Sequence, residues 1–86
     1  MKKIKLFYIE GCPHCRKAFK ILEELKAKNP QYSKIDVEYI DENKDVVSAN
    51  LYDYYYVPTF FVDDVKMHEG VPTKEKIERV LQEAIK

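Results

Sequence analysis

The stretch FYIEGCPHC (residues 7–15) runs from an apolar, β-prone segment straight into Cys12 and Cys15, the only two cysteines of the chain. Pro13 marks the start of a helix, because its missing N–H is one that a helix leaves unpaired in its first turn. Ala18, Leu22 and Leu25, flanked by Phe19 and Ile21, continue it as an apolar stripe, so the sequence predicts a helix over about residues 13–28 that stops at Asn29-Pro30. Upstream, KKIKLFYI (residues 2–9) places Ile4, Leu6 and Tyr8 on one face and Phe7 and Ile9 on the other. Apolar residues on both faces predict a central strand covered on both sides.

Working outward, KIDVEYI (residues 34–40) alternates with Ile35, Val37 and Tyr39 on one face and predicts a second strand. Val47, Leu51 and Tyr54 recur at i, i+4 and i+7, which predicts a second helix over roughly residues 43–54. YVPTFFVDD (residues 56–64) is β-prone, and its Asp-Asp pair suits a hairpin turn into VKMHE (residues 65–69). Ile77, Val80, Leu81 and Ala84 mark a last helix over about residues 73–85, with Thr73 as its N-cap. The order is β-α-β-α-β-β-α. A βαβ start implies a parallel pair with a right-handed crossover, and the terminal hairpin adds antiparallel strands. The expected fold class is therefore α/β, a central four-stranded mixed sheet flanked by helices.

The 86 residues suit one domain, residues 1–86, with one modest core. With 45% hydrophobic and 35% charged residues the chain reads as globular rather than disordered. Lysine plus arginine equals aspartate plus glutamate at 15 each, so no excess charge points to nucleic acid or to an anionic membrane. The apolar part of the N-terminus, IKLFYI, is interrupted by Lys5 and succeeded by Glu10; a secretory segment needs about 7–15 apolar residues and a membrane span about 20. A cytoplasmic, monomeric protein is expected. In that compartment a cysteine pair stays reduced, which favours a reactive dithiol or metal ligands over a structural disulfide.

Residues i and i+3 of a helix share a face, with Cα atoms about 5 Å apart, inside the span a disulfide bridges. The two thiols are not equivalent. Cys12 falls at the helix N-cap, where unpaired N–H groups and the helix dipole favour an anion. Cys15 lies about one turn in and should be buried. Cys12 is therefore the expected nucleophile towards a disulfide, and Cys15 the resolving thiol. The helix terminus contributes roughly 0.3–2 kcal/mol, against about 1.36 kcal/mol per pKa unit. A Cys12 pKa well below the free-thiol value of about 8.5 thus needs further help. Pro13, His14, Arg16 and Lys17 are the expected tuning residues, opposed by Glu10. For His14 three readings stand side by side: a tuner of the thiolate, an exposed helix residue, or a metal ligand. Pro58 either opens a strand or forms a cis bond that leaves the backbone of Val57 free to pair with an extended thiol peptide.

Together FYIEGCPHC, YVPTFFV (residues 56–62) and HEG (residues 68–70) resemble the glutaredoxin branch of the thioredoxin superfamily, over essentially the whole chain. The resemblance implies a thioredoxin-like, glutaredoxin-type fold and a dithiol–disulfide oxidoreductase. On that pattern Cys12 is the nucleophile, Cys15 the resolving cysteine and Pro58 the cis-proline. Tyr56 and Val57 line the glutathione site, and Gly70, Val71 and Thr73 hold the γ-glutamyl carboxylate. Glutathione is then a co-substrate, disulfide-bearing proteins are partners, and no cofactor is tightly bound. The chain differs from the usual glutaredoxin pattern at His14 (commonly tyrosine), Tyr56 (threonine) and Glu69 (glycine), and Ile9 and Glu10 stand where a lysine is usual. The lack of tryptophan argues against a thioredoxin proper.

Two other readings compete with this one. A redoxin of the same fold can be reduced by a flavin-dependent, thioredoxin-reductase-type enzyme instead of glutathione. Alternatively, Cys12, Cys15, His14 and His68 could bind zinc, or Cys12 of two protomers could share an iron–sulfur cluster. The sequence leaves open whether position 12 is natively selenocysteine. YDYYY (residues 52–56) reads mostly as packing at a helix end, and KEKIER (residues 74–79) as a solvated helix face.

Overall fold

The strand predicted at the N-terminus is the hub of the sheet. In the computed structural model, which describes residues 1–86, β1 (Ile4–Tyr8) lies between β2 (Val37–Asp41) and β3 (Thr59–Val62). The hairpin partner β4 (Val65–Glu69) forms the far edge, giving the order β2-β1-β3-β4. β1 and β2 are parallel, with Ile4 opposite Val37 and Tyr8 opposite Asp41. β1 and β3 are antiparallel, with Leu6 opposite Phe60, and so are β3 and β4. Having neighbours on both sides satisfies the β1 backbone, and both of its faces are covered, Ile4 and Leu6 by the larger core and Phe7 by the smaller one, which is why apolar residues appear on both.

Helix α1 (Pro13–Lys28) begins with the proline and buries Cys15, Ala18, Leu22 and Leu25, the stripe read from the sequence. Lys26 and Lys28 stand in its last turn, where cations complement the helix dipole. Helix α3, as we label Lys74–Ala84, is capped by Thr73, whose Oγ1 accepts the Lys76 N–H at 3.2 Å. Its buried face is Ile77, Val80, Leu81 and Ala84. Both helices cover one side of the sheet. There Ile4, Leu6, Phe60 and Val62 join their stripes, with Tyr32 and Ile35, in a core cluster of 13 buried residues. No helix is long and apolar enough to cross a membrane.

The opposite face departs from the sequence reading. The helix expected over residues 43–54 is only α2 (Val46–Asn50), capped by Asp45, which accepts the Ser48 N–H at 3.1 Å. Val47 and Leu51, two of the three residues that suggested the stripe, are 74% and 77% exposed. The sheet face is closed instead by Tyr52 and Tyr54, whose rings lie 5.0 and 4.8 Å from that of Phe7. A helix of five residues spans little more than one turn and carries no continuous stripe. The larger aromatic rings from the loop after it take the contact. The core on this side is small: Phe7, Ile40 and Phe61, with Ala49, Tyr52, Tyr54 and Val57 against it.

The second strand is also shifted. It starts at Val37, so Ile35 is buried ahead of it, and Tyr39 is half-exposed at the sheet edge. The Asp63-Asp64 turn is as expected. Both residues have positive φ, 47° and 66°, as the common two-residue hairpin turn requires. Asp63 Oδ1 accepts the Lys3 N–H at 3.0 Å, and the Tyr52 hydroxyl donates to Asp64 Oδ1 at 2.5 Å. The side chains that tolerate this backbone thus also tie the turn to β1 and to the aromatic layer.

Candidate active site

β1 ends at Tyr8, the chain turns through Gly11 at a φ of +84°, and Cys12 becomes the N-cap of α1. A residue at that φ is best supplied by glycine. The turn aims the free N–H groups of the helix start at the Cys12 sulfur. Cys12 is half-buried and Cys15 is 1% exposed, and both are free thiols.

The local surroundings separate the two in acidity. Partial burial pushes the Cys12 thiol up, but it is outweighed by the backbone N–H of Cys15, the Cys15 thiol, the backbone N–H of His14 and the charge of Arg16. The net result holds Cys12 below the ordinary thiol range. Burial pushes Cys15 up to about 12; the Ile9 backbone opposes it, while the Cys12 sulfur and the charge of Glu42 add to it. His14 thus stabilises the thiolate through its main chain, while its side chain is exposed. Glu10, expected to oppose the thiolate, is exposed and paired with Lys44 at 3.5 Å. Arg16 and Lys17 are exposed on α1 and line a shallow depression with Phe19, Lys20 and Glu23.

Beside the motif lies a groove of about 390 Å³ lined by His14, Tyr56, Val57, Gly70 and Val71. Two separate segments of sequence, residues 56–57 and 70–71, are thus brought against the start of α1. The Val57–Pro58 peptide bond is cis, and Pro58 O accepts the Gly70 N–H at 3.0 Å. No main-chain hydrogen bond outside the helices and strands engages Val57, so its N–H and C=O remain available to an extended ligand. Thr73 does not line this groove, and neither do Cys12 and Pro58; the Thr73 hydroxyl caps α3. His68 lies buried against Phe60, with Nε2 3.0 Å from Gly70 O. No three histidine, cysteine, aspartate or glutamate side chains are gathered in a way that could hold a metal ion.

Two acids at the site have no local sequence signal. Glu42, in the turn just after β2, accepts the Tyr54 hydroxyl at 2.9 Å, and its charge reaches Cys15. Glu69 reads in the sequence only as a replacement beside the supposed carboxylate site. In the structure its carboxylate folds back onto the loop before Pro58, accepting the Tyr55 and Tyr56 N–H groups.

Comparison with known proteins agrees with this arrangement. The family described as "Thioredoxin domain" matches residues 2–82. A protein of Methanocaldococcus jannaschii named "Thioredoxin" is 37% identical over 84 residues, covering 98% of this chain and 92% of that one. A "Probable Thioredoxin" of Methanothermobacter thermautotrophicus is 34% identical over 74 residues, covering 86% and 85%. Among solved structures, oxidized thioredoxin O2 of Arabidopsis thaliana superposes with a TM-score of 0.62 at 21% identity, over all of this chain and 76% of that one.

Proposed function

The chain belongs to the thioredoxin domain family and is a thioredoxin-like redox protein, and from that premise we propose that it reduces protein disulfides through Cys12 and Cys15, with a flavin-dependent reductase as its electron donor. The observation that carries this reading is the placement of two free thiols one helical turn apart, Cys12 partly buried at the helix N-cap and Cys15 fully buried behind it. The Cys12 thiolate attacks one sulfur of the substrate disulfide. A Cys12–substrate disulfide forms and the other substrate sulfur leaves as a thiolate. Cys15 then loses its proton and attacks the Cys12 sulfur. The second substrate thiolate leaves, and two electrons have moved from the Cys12–Cys15 pair to the substrate.

The high Cys15 value gives this sequence its order. Part of it comes from the neighbouring Cys12 sulfur and its charge. Once Cys12 is in the mixed disulfide, that charge is gone and Cys15 ionises more readily. The resolving thiol is thus restrained until it is needed.

Glutathione, the reductant implied by the glutaredoxin resemblance, becomes the second reading. It is favoured by the presence of Val57, Gly70 and Val71 in one groove. Against it, Thr73 does not line that groove, and Ile9 and Glu10 offer no cation ahead of the motif. Both archaeal relatives are named thioredoxins, and the missing tryptophan does not keep the chain out of that family. Disulfide reduction of this kind suits a reducing compartment such as the cytoplasm.

Two measurements test the proposal. In insulin-reduction assays, turnover is expected with NADPH plus a thioredoxin-reductase-type flavoenzyme, and slower or none with NADPH, glutathione and glutathione reductase. Efficient recycling by glutathione alone overturns the choice of donor. In the second, the rate of iodoacetamide alkylation is measured against pH. The thiolate is the reactive form, so the rate should fall as pH drops through a Cys12 midpoint below the ordinary thiol range, with Cys15 silent until strongly alkaline pH. A single midpoint at or above about 8.5 contradicts the assignment of Cys12 as the activated thiol.

A further inference from the structure

The segment that forms the groove wall, residues 53–58, packs inward through Tyr54, Val57 and Pro58, while Tyr55 and Tyr56 are 85% and 70% exposed. It is also held to the end of β4 at successive points. Lys66 Nζ donates to Asp53 O at 3.1 Å. One oxygen of Glu69, Oε2, accepts both the Tyr55 N–H and the Tyr56 N–H, the latter at 2.9 Å. The other, Oε1, accepts from Lys66 Nζ at 2.8 Å. One residue further on, the Gly70 N–H donates to Pro58 O at 3.0 Å.

Two adjacent main-chain N–H groups converging on one carboxylate oxygen form a small anion-binding concavity, here filled by the chain's own side chain. Such charge-assisted bonds are about twice as strong as neutral ones. The Lys66 contact and these two N–H groups hold the Glu69 carboxyl down to about 2, so it stays ionised at any physiological pH. Glu69 is 13 residues from Tyr56 in sequence but adjoins Gly70, which lines the same groove. Its side chain thus joins the two walls.

Resting on the disulfide-reductase function, we propose that Glu69 is the positioning residue of the substrate groove, fixing Tyr56 and the free Val57 backbone beside His14 of the cysteine motif so that a protein disulfide is bound in register. Glu69 does not touch the reacting sulfurs. Its effect therefore belongs to binding of extended substrates and not to thiol chemistry.

The test compares Glu69→Ala and Glu69→Gln with the wild type, using dithiothreitol as electron donor. Insulin serves as the extended substrate, and hydroxyethyl disulfide as one too small to pair with the Val57 backbone. For Glu69→Ala, KM for insulin should rise about tenfold, the loss expected for a charge-assisted contact. Its kcat, its turnover of hydroxyethyl disulfide and the pH profile of Cys12 alkylation should stay at wild-type values. Glu69→Gln keeps an acceptor oxygen for the two N–H groups and should restore most of the affinity. If Glu69→Ala does not fold, Glu69→Asp, too short to reach both N–H groups, is expected to show the same rise, and an unchanged KM there overturns the proposal. An unchanged KM for insulin in both variants overturns the proposal. So does an equal loss on both substrates, which marks a general disturbance of the fold. A wild-type protein that reduces neither substrate refutes the disulfide-reductase function itself, and so the two failures are told apart.

Discussion

Replacing Cys12 with serine is expected to reduce turnover of every disulfide to background. The nucleophile in thiol–disulfide exchange is a thiolate, and a serine hydroxyl does not ionise in the accessible pH range. Nothing else can substitute. Cys15 is buried, and burial alone holds its thiol above the ordinary range. Cys15→Ser should behave differently. Its Cys12 still attacks, so the first half of the reaction proceeds and stops at the mixed disulfide. Mass spectrometry of Cys15→Ser incubated with oxidised insulin should show a covalent adduct on Cys12, and the Cys12→Ser protein should show none. Turnover by Cys12→Ser above background, with either an insulin or a small disulfide substrate, would falsify the assignment of the nucleophile.

The second large effect is on stability. Phe60 is completely buried in the middle of β3, opposite Leu6 of β1 and next to His68 of β4, beneath α1 and α3. Phe60→Ala is expected to cost about 3–5 kcal/mol, from lost transfer free energy and the cavity left behind. A domain of this size has a total stability on the order of 4–13 kcal/mol. The substitution therefore removes a large part of what holds the fold, and can remove all of it. Chemical denaturation should show a midpoint lowered by at least a quarter, or no cooperative transition. A midpoint within a tenth of the wild-type value would mean that β3 is not the centre of the main core.

Where the sequence proves legible, one local cause is enough. Pro13 and the stripe from Ala18 to Leu25 fix α1 with the expected limits, 13–28. Thr73 caps the last helix because its side chain needs only the N–H three residues on. The Asp-Asp turn and β4 arise from backbone preferences that act over four residues. Legibility ends where the outcome depends on competition between distant groups. Val47 and Leu51 have helical spacing, but Phe7 and Phe61 have a better partner in the rings of Tyr52 and Tyr54. Periodicity shows that residues share a face, not that anything covers it.

The same division holds at the site. The inequality of Cys12 and Cys15 is read from their distance to a helix end, and the local surroundings reproduce it. The sequence suggests an effect of the His14 ring, yet His14 contributes through its backbone, as any residue but proline at that position would. Glu69 stands out only as a departure from a family pattern. Its carboxylate finds Tyr55 and Tyr56 because the sheet brings β4 alongside the loop, and no short-range rule reports that.

The two sides of the sheet differ in how much they bury, 13 residues against three. Protein structures open locally at a free energy set by such burial, and regions with little of it open without the rest. Here the boundary between a firm and a soft half runs through the groove. Cys12 and Cys15 belong to α1, on the firm side, and the wall formed by residues 53–58 belongs to the soft one. Amide protons of α2 should exchange with solvent through small excursions and those of Tyr55 and Tyr56 only when the Glu69 contact opens, while those of β1 and α1 wait for global unfolding. The surface that meets a partner can therefore open locally only by releasing Glu69, while the dipoles that set the acidity of the thiol stay in place.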